Sequence, residues 1–355
     1  MSDLRELARL RCVAQLLAGQ RAETPAAAVA WLTAAQGQDY AGALTSIALR
    51  TRTGTRAAVE QALDAGEIVR SWPMRGTLHL VCAADLGWML EVLTPRVLAA
   101  SARRRSQLGV DESTIERART IAVTELAAHG RLSRSQLLAR WEEAGIATAG
   151  GRGYHLITYL SMTGLLCFGP TRDGEQQLVL VAEWIPQPRT VEREEALGEL
   201  ALRYFRSHGP ATFQDFARWA QLTATDARTG VARVDGELTR LYVHDTEYLL
   251  DPAIPQRLEQ CRGEIDDVLL LPGFDEFVLG YANRAAVLPS AFADRIVPGG
   301  NGVFRPTVVR DGQIVGTWRH VGTASARRIE ATAFTEFATQ DQARIAEVYA
   351  ALPHQ

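Results

Sequence analysis

Gly130-Arg131-Leu132-Ser133-Arg134-Ser135-Gln136-Leu137-Leu138-Ala139-Arg140-Trp141 returns, 79 residues on, as Gly209-Pro210-Ala211-Thr212-Phe213-Gln214-Asp215-Phe216-Ala217-Arg218-Trp219. Both carry a glycine, then a Ser or Thr three places later, an apolar residue four beyond that (Leu137, Phe216), and Arg-Trp. A hydroxyl residue ahead of an apolar-periodic run reads as a helix N-cap. Each phrase follows a segment with helical spacing, 114–129 with Ile115, Ile121, Ala122 and Leu126, and 192–208. Each precedes a further helical segment, 154–162 and 224–234. Two short apolar runs then close each round: 165–168 and 177–181 about Asp173-Gly174, and the runs within 241–250. Helix, capped helix, helix and hairpin in that order make a winged helix, and 79 residues is a fitting period.

Working outward, the N-terminal segment shows the same order. Leu4, Leu7, Leu10, Val13, Leu16 and Leu17 predict a helix over 3–18 that Gly19 ends. Pro25 opens a second, with Val29, Trp31 and Leu32. Tyr40, Leu44, Ile47 and Ala48 mark a third, after Gln36-Gly37-Gln38, and 67–81 alternates around Pro73 and Gly76 as a hairpin does. Beyond Asp251 the texture becomes β-rich, with Val268-Leu269-Leu270-Leu271, Phe304 to Val309, and Ile314 to Trp318 after the turn Asp311-Gly312, before a closing helix over 341–352. The expected fold class is α+β, mainly α: three tandem winged-helix motifs at 1–110, 111–185 and 186–252, and a small β-rich subdomain with a final helix at 253–355.

Composition narrows the chemistry. The 355 residues are 47% hydrophobic and 22% charged, which excludes disorder, collagen and coiled coil. The sequence contains no lysine, so all 38 cations are arginine. That removes an internal Schiff base, a pyridoxal-phosphate anchor and a Walker-type phosphate loop, each of which needs an amine on a long stem. The four cysteines, Cys12, Cys82, Cys167 and Cys261, are scattered with no Cys-x-x-Cys pair, which argues against a structural metal or a disulfide framework. The charged N-terminus and the absence of an 18-residue apolar stretch predict a cytoplasmic protein with no membrane contact.

Net charge is only −3, so DNA contact has to come from a local patch. Residues 50–140 supply one, with fourteen Arg against nine acidic residues. Arg50, Arg52, Arg56, Arg70, Arg75 and the run Arg103-Arg104-Arg105 are candidate phosphate contacts. Three winged helices in tandem suggest a concave, DNA-sized surface.

Gln36-Gly37-Gln38-Asp39-Tyr40 and Met74-Arg75-Gly76-Thr77-Leu78-His79 resemble the AlkZ-type DNA glycosylases of the winged-helix superfamily. So do Leu271-Pro272-Gly273-Phe274-Asp275-Glu276-Phe277, Leu279-Gly280-Tyr281, Asn301-Gly302-Val303-Phe304-Arg305-Pro306 and Gly316-Thr317-Trp318. The resemblance covers nearly the whole chain. It implies a C-shaped DNA-binding concavity and a Gln-aliphatic-Gln catalytic motif, matched here by Gln36 and Gln38, with Gly37 in place of the aliphatic residue. Relatives with Gln-x-Asp carry a carboxylate at the second position; here the nearest is Asp39, expected to face elsewhere. Arg75 and His79 become candidate DNA contacts near the lesion, with His79 reading equally as a structural hydrogen-bond partner, and Arg305 is a further candidate DNA contact.

The chemistry suits two neutral amides. Alkylation at guanine N7 makes the base a cationic leaving group, and the transition state is largely an oxocarbenium sugar awaiting water. Glutamine carbonyls and N–H groups suffice to hold that water and favour the positive charge. The resemblance therefore implies a monofunctional enzyme acting alone, without cofactor or metal, on duplex DNA bearing alkylated purines. It extends to interstrand crosslinks and to resistance against genotoxic natural products. A non-catalytic winged-helix DNA-binding or regulatory protein is the alternative. Asp275-Glu276, read as neighbours on a strand, and Trp141 and Trp219 favour structural roles. The loop Pro298-Gly299-Gly300-Asn301-Gly302 reads either as a turn or as a reach into a groove.

Overall fold

In the computed structural model of the protein, which describes residues 2–323 and 327–353, both hydroxyl residues of the repeated phrase cap helices. Ser133 Oγ accepts the N–H of Gln136 while the Gln136 side chain accepts the N–H of Ser133, opening the helix Arg134–Glu143. Thr212 and Asp215 make the same reciprocal pair at the start of Phe213–Trp219. Each pair satisfies N–H groups that a helix start leaves without partners. Thr24 caps Pro25–Leu32 through Ala27. Each of these three helices carries a tryptophan near its end. Trp31 donates to Ala14 O at the end of Ser2–Ala14, and Trp141 to Ala118 O in Glu112–His129, tying capped helix to preceding helix. Trp219 departs from the pattern and donates to Glu276.

Hairpins follow where expected: Ile68–Met74 with Thr77–Cys82, Leu166–Arg172 with Glu175–Leu180, and Thr239–Val243 with Thr246–Leu250. Their tips, Arg75-Gly76, Asp173-Gly174 and His244-Asp245, have positive φ at both residues. That is the turn whose twist matches paired strands. Asp311-Gly312 repeats it between Thr307–Arg310 and Gln313–Val321. The result is a mixed α+β fold in which helices predominate.

The chain packs as two compact units, Met1–Val59 with Leu197–Gln355, and Glu60–Ala196. These cut across the motif boundaries expected at 110, 185 and 252, because packing joins the ends of the chain. Leu10, Val13 and Ala14 of the first helix share a core with Ile254, Leu258 and Ile265 of the helix Ile254–Ile265. Ala8, Cys12 and Leu17 meet Leu271, Val309 and Ile314 of the C-terminal sheet. That sheet runs Arg328–Ala333, Gln313–Val321, Thr307–Arg310, Val268–Leu271, all antiparallel, and the closing helix Thr339–Ala351 covers it through Ile345 and Tyr349. The β-rich region is thus part of a larger core. In the other unit, Trp72, Leu126, Leu137, Trp141, Leu160 and Leu178 fill one cluster against strands in the order Thr77–Cys82, Ile68–Met74, Leu166–Arg172, Glu175–Leu180, Leu132–Ser133. The helices Leu86–Leu93, Pro95–Ala100, Ala102–Gln107 and Ile254–Ile265 go beyond the sequence-based expectation. The cysteines are free thiols, and burial pushes Cys12 and Cys167 up to about 12, so neither ionises near neutral pH.

Arg50 overturns an expectation. Far from facing phosphate, it is fully enclosed just past the helix Tyr40–Leu49, where Nη1 and Nη2 grip the two oxygens of Asp275 at 2.9 and 2.8 Å. Nη2 also donates to Gln15 Oε1, Nε donates to Gln15 O, and Ser46 Oγ donates to Asp275 at 2.7 Å. Asp275 in turn caps the short helix Glu276–Leu279 by accepting from Phe277 N–H, so it lies at a helix start and not on a strand. Losing one member of such a pair leaves a buried charge alone. Urea unfolding of Asp275→Ala therefore shows a loss of about 3–5 kcal/mol, against about 1 kcal/mol for Thr212→Ala, which removes only a cap. Equal losses would contradict this ranking.

Candidate active site

Ala35–Gln36 is a two-residue strand, and the loop after it leads into the helix Tyr40–Leu49. Gln36 is half-buried, Gly37 buried, and Gln38 and Asp39 exposed. The backbone is held from beneath: Gln36 N–H donates to Glu276 Oε1 at 3.2 Å. The other oxygen of Glu276 accepts the Trp219 indole N–H at 3.0 Å and lies 3.5 Å from His208 Nε2. Glu276 has no exposed surface. A buried carboxylate with both oxygens engaged is a strong acceptor and a poor candidate for shuttling protons to solvent.

More polar side chains brace the segment. Gln15 Nε2 donates to Glu276 O at 3.2 Å and to the Tyr281 hydroxyl at 3.1 Å, and that hydroxyl donates to His208 O at 2.9 Å. Tyr204 stacks on the His208 ring at 4.8 Å and donates to Gly280 O at 2.7 Å. Burial pushes both phenols well above their ordinary range, so they act as neutral hydrogen-bonding groups. Through Gln15 this cluster joins Arg50 and Asp275. The paired carboxylates are structural, as expected, and so are Trp141 and Trp219, both buried with their indoles bonded.

Of the stretches behind the resemblance, those outside 74–79 belong to the unit that holds Gln36 and Gln38, and several of them meet here. A Cβ on Gly42 would lie 2.6 Å from Asp39 Oδ2 and 3.3 Å from Gly273 O, so glycine lets the acid fold over the helix start and the Pro272-Gly273 loop approach it. Gly273 in turn lies close under Phe304 O, and Trp318 donates its indole N–H to Leu271 O. A cavity of about 600 Å³ opens beside Asp39, with Arg56, Arg319 and His320 in its wall. Asp39 is exposed, with its carboxylate lying beside Gly42 of the following helix.

The cationic candidates scatter. Arg52 is exposed and pairs with Glu23; Arg305 is exposed; both lie in the unit that holds Gln36 and Gln38. Arg75, His79, Arg103 and Arg104 belong to the other unit. Arg103 and Arg104 are exposed there on Ala102–Gln107, whereas Arg105 folds back onto Leu98 O and the Tyr159 ring. His79 is a correction. It is fully buried, its ring bonded to Thr77 O and Arg75 Nη2, and it presents nothing to DNA. Sequence reasoning missed Gln15, Trp219 and Glu276 as the supports of the loop. Among the described residues no three His, Cys, Asp or Glu side chains are arranged to hold a metal, and no helix is long and apolar enough to cross a membrane.

Comparison with known proteins identifies the fold and the family. The structure matches the solved structure of Streptomyces sahachiroi DNA glycosylase AlkZ with a TM-score of 0.80 at 22% identity, covering 99% of this chain and 95% of that one. Its sequence is 28% identical over 306 residues to an interstrand DNA cross-link repair glycosylase of Streptomyces sahachiroi, covering 82% of this chain and 80% of the relative. The pattern that defines the DNA glycosylase AlkZ-like proteins matches residues 29–354, a span that takes in Gln36, Gln38 and their supports from Trp219 to Tyr281, and the chain belongs to that family.

Proposed function

We propose that the protein is a monofunctional glycosylase that hydrolyses the N-glycosidic bond of N7-alkylated guanine in duplex DNA, with Gln36 and Gln38 positioning the water. The observation that carries this reading is the Gln36 N–H bond to the enclosed Glu276 carboxylate. It commits a buried charge to aiming a two-residue strand that ends in an amide side chain. Fixing the amide before substrate arrives removes ordering cost from the transition state. Two amides then hold a water by acceptor and donor groups and offer carbonyl dipoles to the oxocarbenium sugar. A cationic base leaves without a strong general base, and an undamaged purine lacks that activation. With no lysine anywhere, the product is an abasic site in an uncut strand.

The threefold order of helix, capped helix, helix and hairpin supports reading the chain as tandem winged helices that grip duplex DNA. The exposed Arg52, Arg103, Arg104 and Arg305, with half-buried Arg75, supply phosphate contacts. The Streptomyces sahachiroi relative is a cross-link repair glycosylase. A crosslinked base is tied to both strands and cannot be flipped into an enclosed pocket. Gln38 and Asp39 stand exposed, which suits an open reaction surface, so we extend the proposal to crosslink unhooking and to resistance against the agents that make such lesions. The protein acts as a monomer on one lesion.

Purified protein incubated with methylated duplex releases 7-methylguanine. Gln36→Ala and Gln38→Ala, folded by circular dichroism, each lose tenfold or more, and every factor of ten is about 1.4 kcal/mol of transition-state stabilisation. No release from methylated duplex, bulky N7 adducts or crosslinked duplex would reduce the protein to a DNA-binding module and overturn the catalytic assignment.

A further inference from the structure

A second cavity, of about 680 Å³, lies between residues 278–304 and the last turn of Phe213–Trp219. Its floor is apolar, from Val278, Leu288 and Ile296, all buried in one core cluster. Its walls carry two arginines. Arg284 is half-buried, with its guanidinium 5.2 Å from the Phe304 ring and Nε donating to Val278 O at 2.7 Å. Those two contacts fix the plane of the group and leave its terminal nitrogens for the cavity. Arg218, exposed, lines the same cavity from the end of Phe213–Trp219.

Among the described residues neither arginine has a carboxylate within ion-pairing distance. Two acids lie near, Asp294 in the cavity lining and Asp215 behind it, each holding backbone N–H groups. Asp215 accepts N–H groups from Thr212, Ala282 and Asn283 and faces Arg11 at 3.9 Å, and Asp294 accepts from Gly299 N–H at 2.7 Å. The cavity therefore brings together two arginines, neither of them in an ion pair; burial, then repulsion from Arg218, pulls Arg284 below the ordinary arginine range, with Asp215 acting in the opposite sense. Two forked donors lining one cavity with an apolar floor are matched by an oxyanion, which accepts several N–H groups at once. The third wall is bare backbone. Gly300 and Gly302 have φ of 64° and 77°, and a Cβ added at either would meet no atom within 4 Å, so this loop admits a ligand close to its main chain.

We propose that this cavity is a phosphate-binding site, seating one phosphate group between Arg218 and Arg284, apart from the Gln36–Gln38 loop. The source of the phosphate is a backbone phosphodiester of bound DNA or a free phosphomonoester. The first source rests on the glycosylase reading above; the site itself does not, since its residues include neither glutamine.

The test has two arms, each run on wild type, Arg218→Gln and Arg284→Gln. In the first, thermal unfolding is followed with inorganic phosphate and with deoxyadenosine monophosphate, against sodium chloride at equal ionic strength. In the second, binding of undamaged duplex is measured as a function of salt. A backbone phosphodiester predicts a salt slope lower by about 0.9 in each variant. A free phosphomonoester predicts stabilisation of wild type by the phosphate compounds, lost in both variants, with the DNA slope unchanged. Variants that match wild type in both arms overturn the proposal. Arg218 is exposed, so Arg218→Gln decides the matter even where Arg284→Gln unfolds. Because Gln36→Ala keeps both arginines, failure of base release and failure of phosphate binding are read independently.

Discussion

Two adjacent carboxylates, Asp275 and Glu276, lie in the protein interior at 1% and 0% exposure, and what each one binds organises the surrounding unit. Asp275 neutralises Arg50 across 225 residues of sequence and caps the helix that contains its neighbour. Glu276 takes one N–H from Gln36 and one from Trp219. Removing these charges from water is costly, and only well-formed hydrogen bonds offset that cost. The cluster meets this demand with Ser46, Gln15 and the Asp275 helix cap. The two-residue strand Ala35–Gln36 is thereby tied to the helix Phe213–Trp219 and to the segment after Val268–Leu271.

The same arrangement bears on the proposed mechanism, in which Gln36 and Gln38 act without a strong base. The acid beneath Gln36 is consumed in orientation, and the tyrosines beside it are held neutral by burial. What the motif brings to the surface is the Gln38 amide and the Asp39 carboxylate, drawn over Gly42. In the proposed reaction the leaving group already carries positive charge, orientation of water is the remaining task, and it is the task assigned there to the two neutral amides.

Local chemistry is readable from the residues. Ser133, Thr212 and Pro25 mark helix starts, and Asp173-Gly174 and Asp311-Gly312 mark turns, because caps and turns depend on a few neighbouring atoms. Ile254, Leu258, Cys261 and Ile265 also form a helical stripe, which the β-rich runs beyond it obscure. Leu86–Leu93 is a short apolar run whose period does not separate helix from buried strand. Arg50 and His79 escape a sequence reading for one reason: counting charges along a segment says nothing of which ones fold inward. The Gln36 motif is visible in the sequence, but its support is not. Glu276 lies 240 residues away, and no local pattern distinguishes an acid that will hold a backbone N–H from one that will face water.

The most direct measurement is the single-turnover rate of 7-methylguanine release by Glu276→Gln, together with its affinity for undamaged duplex. The substitution keeps size and one acceptor oxygen while removing the charge that Gln36 N–H and the Trp219 indole share. Orientation by Glu276 predicts a rate lower by about tenfold, equivalent to about 1.4 kcal/mol, with duplex affinity unchanged. A wild-type rate in the folded variant would contradict the claim that this buried carboxylate sets the catalytic geometry.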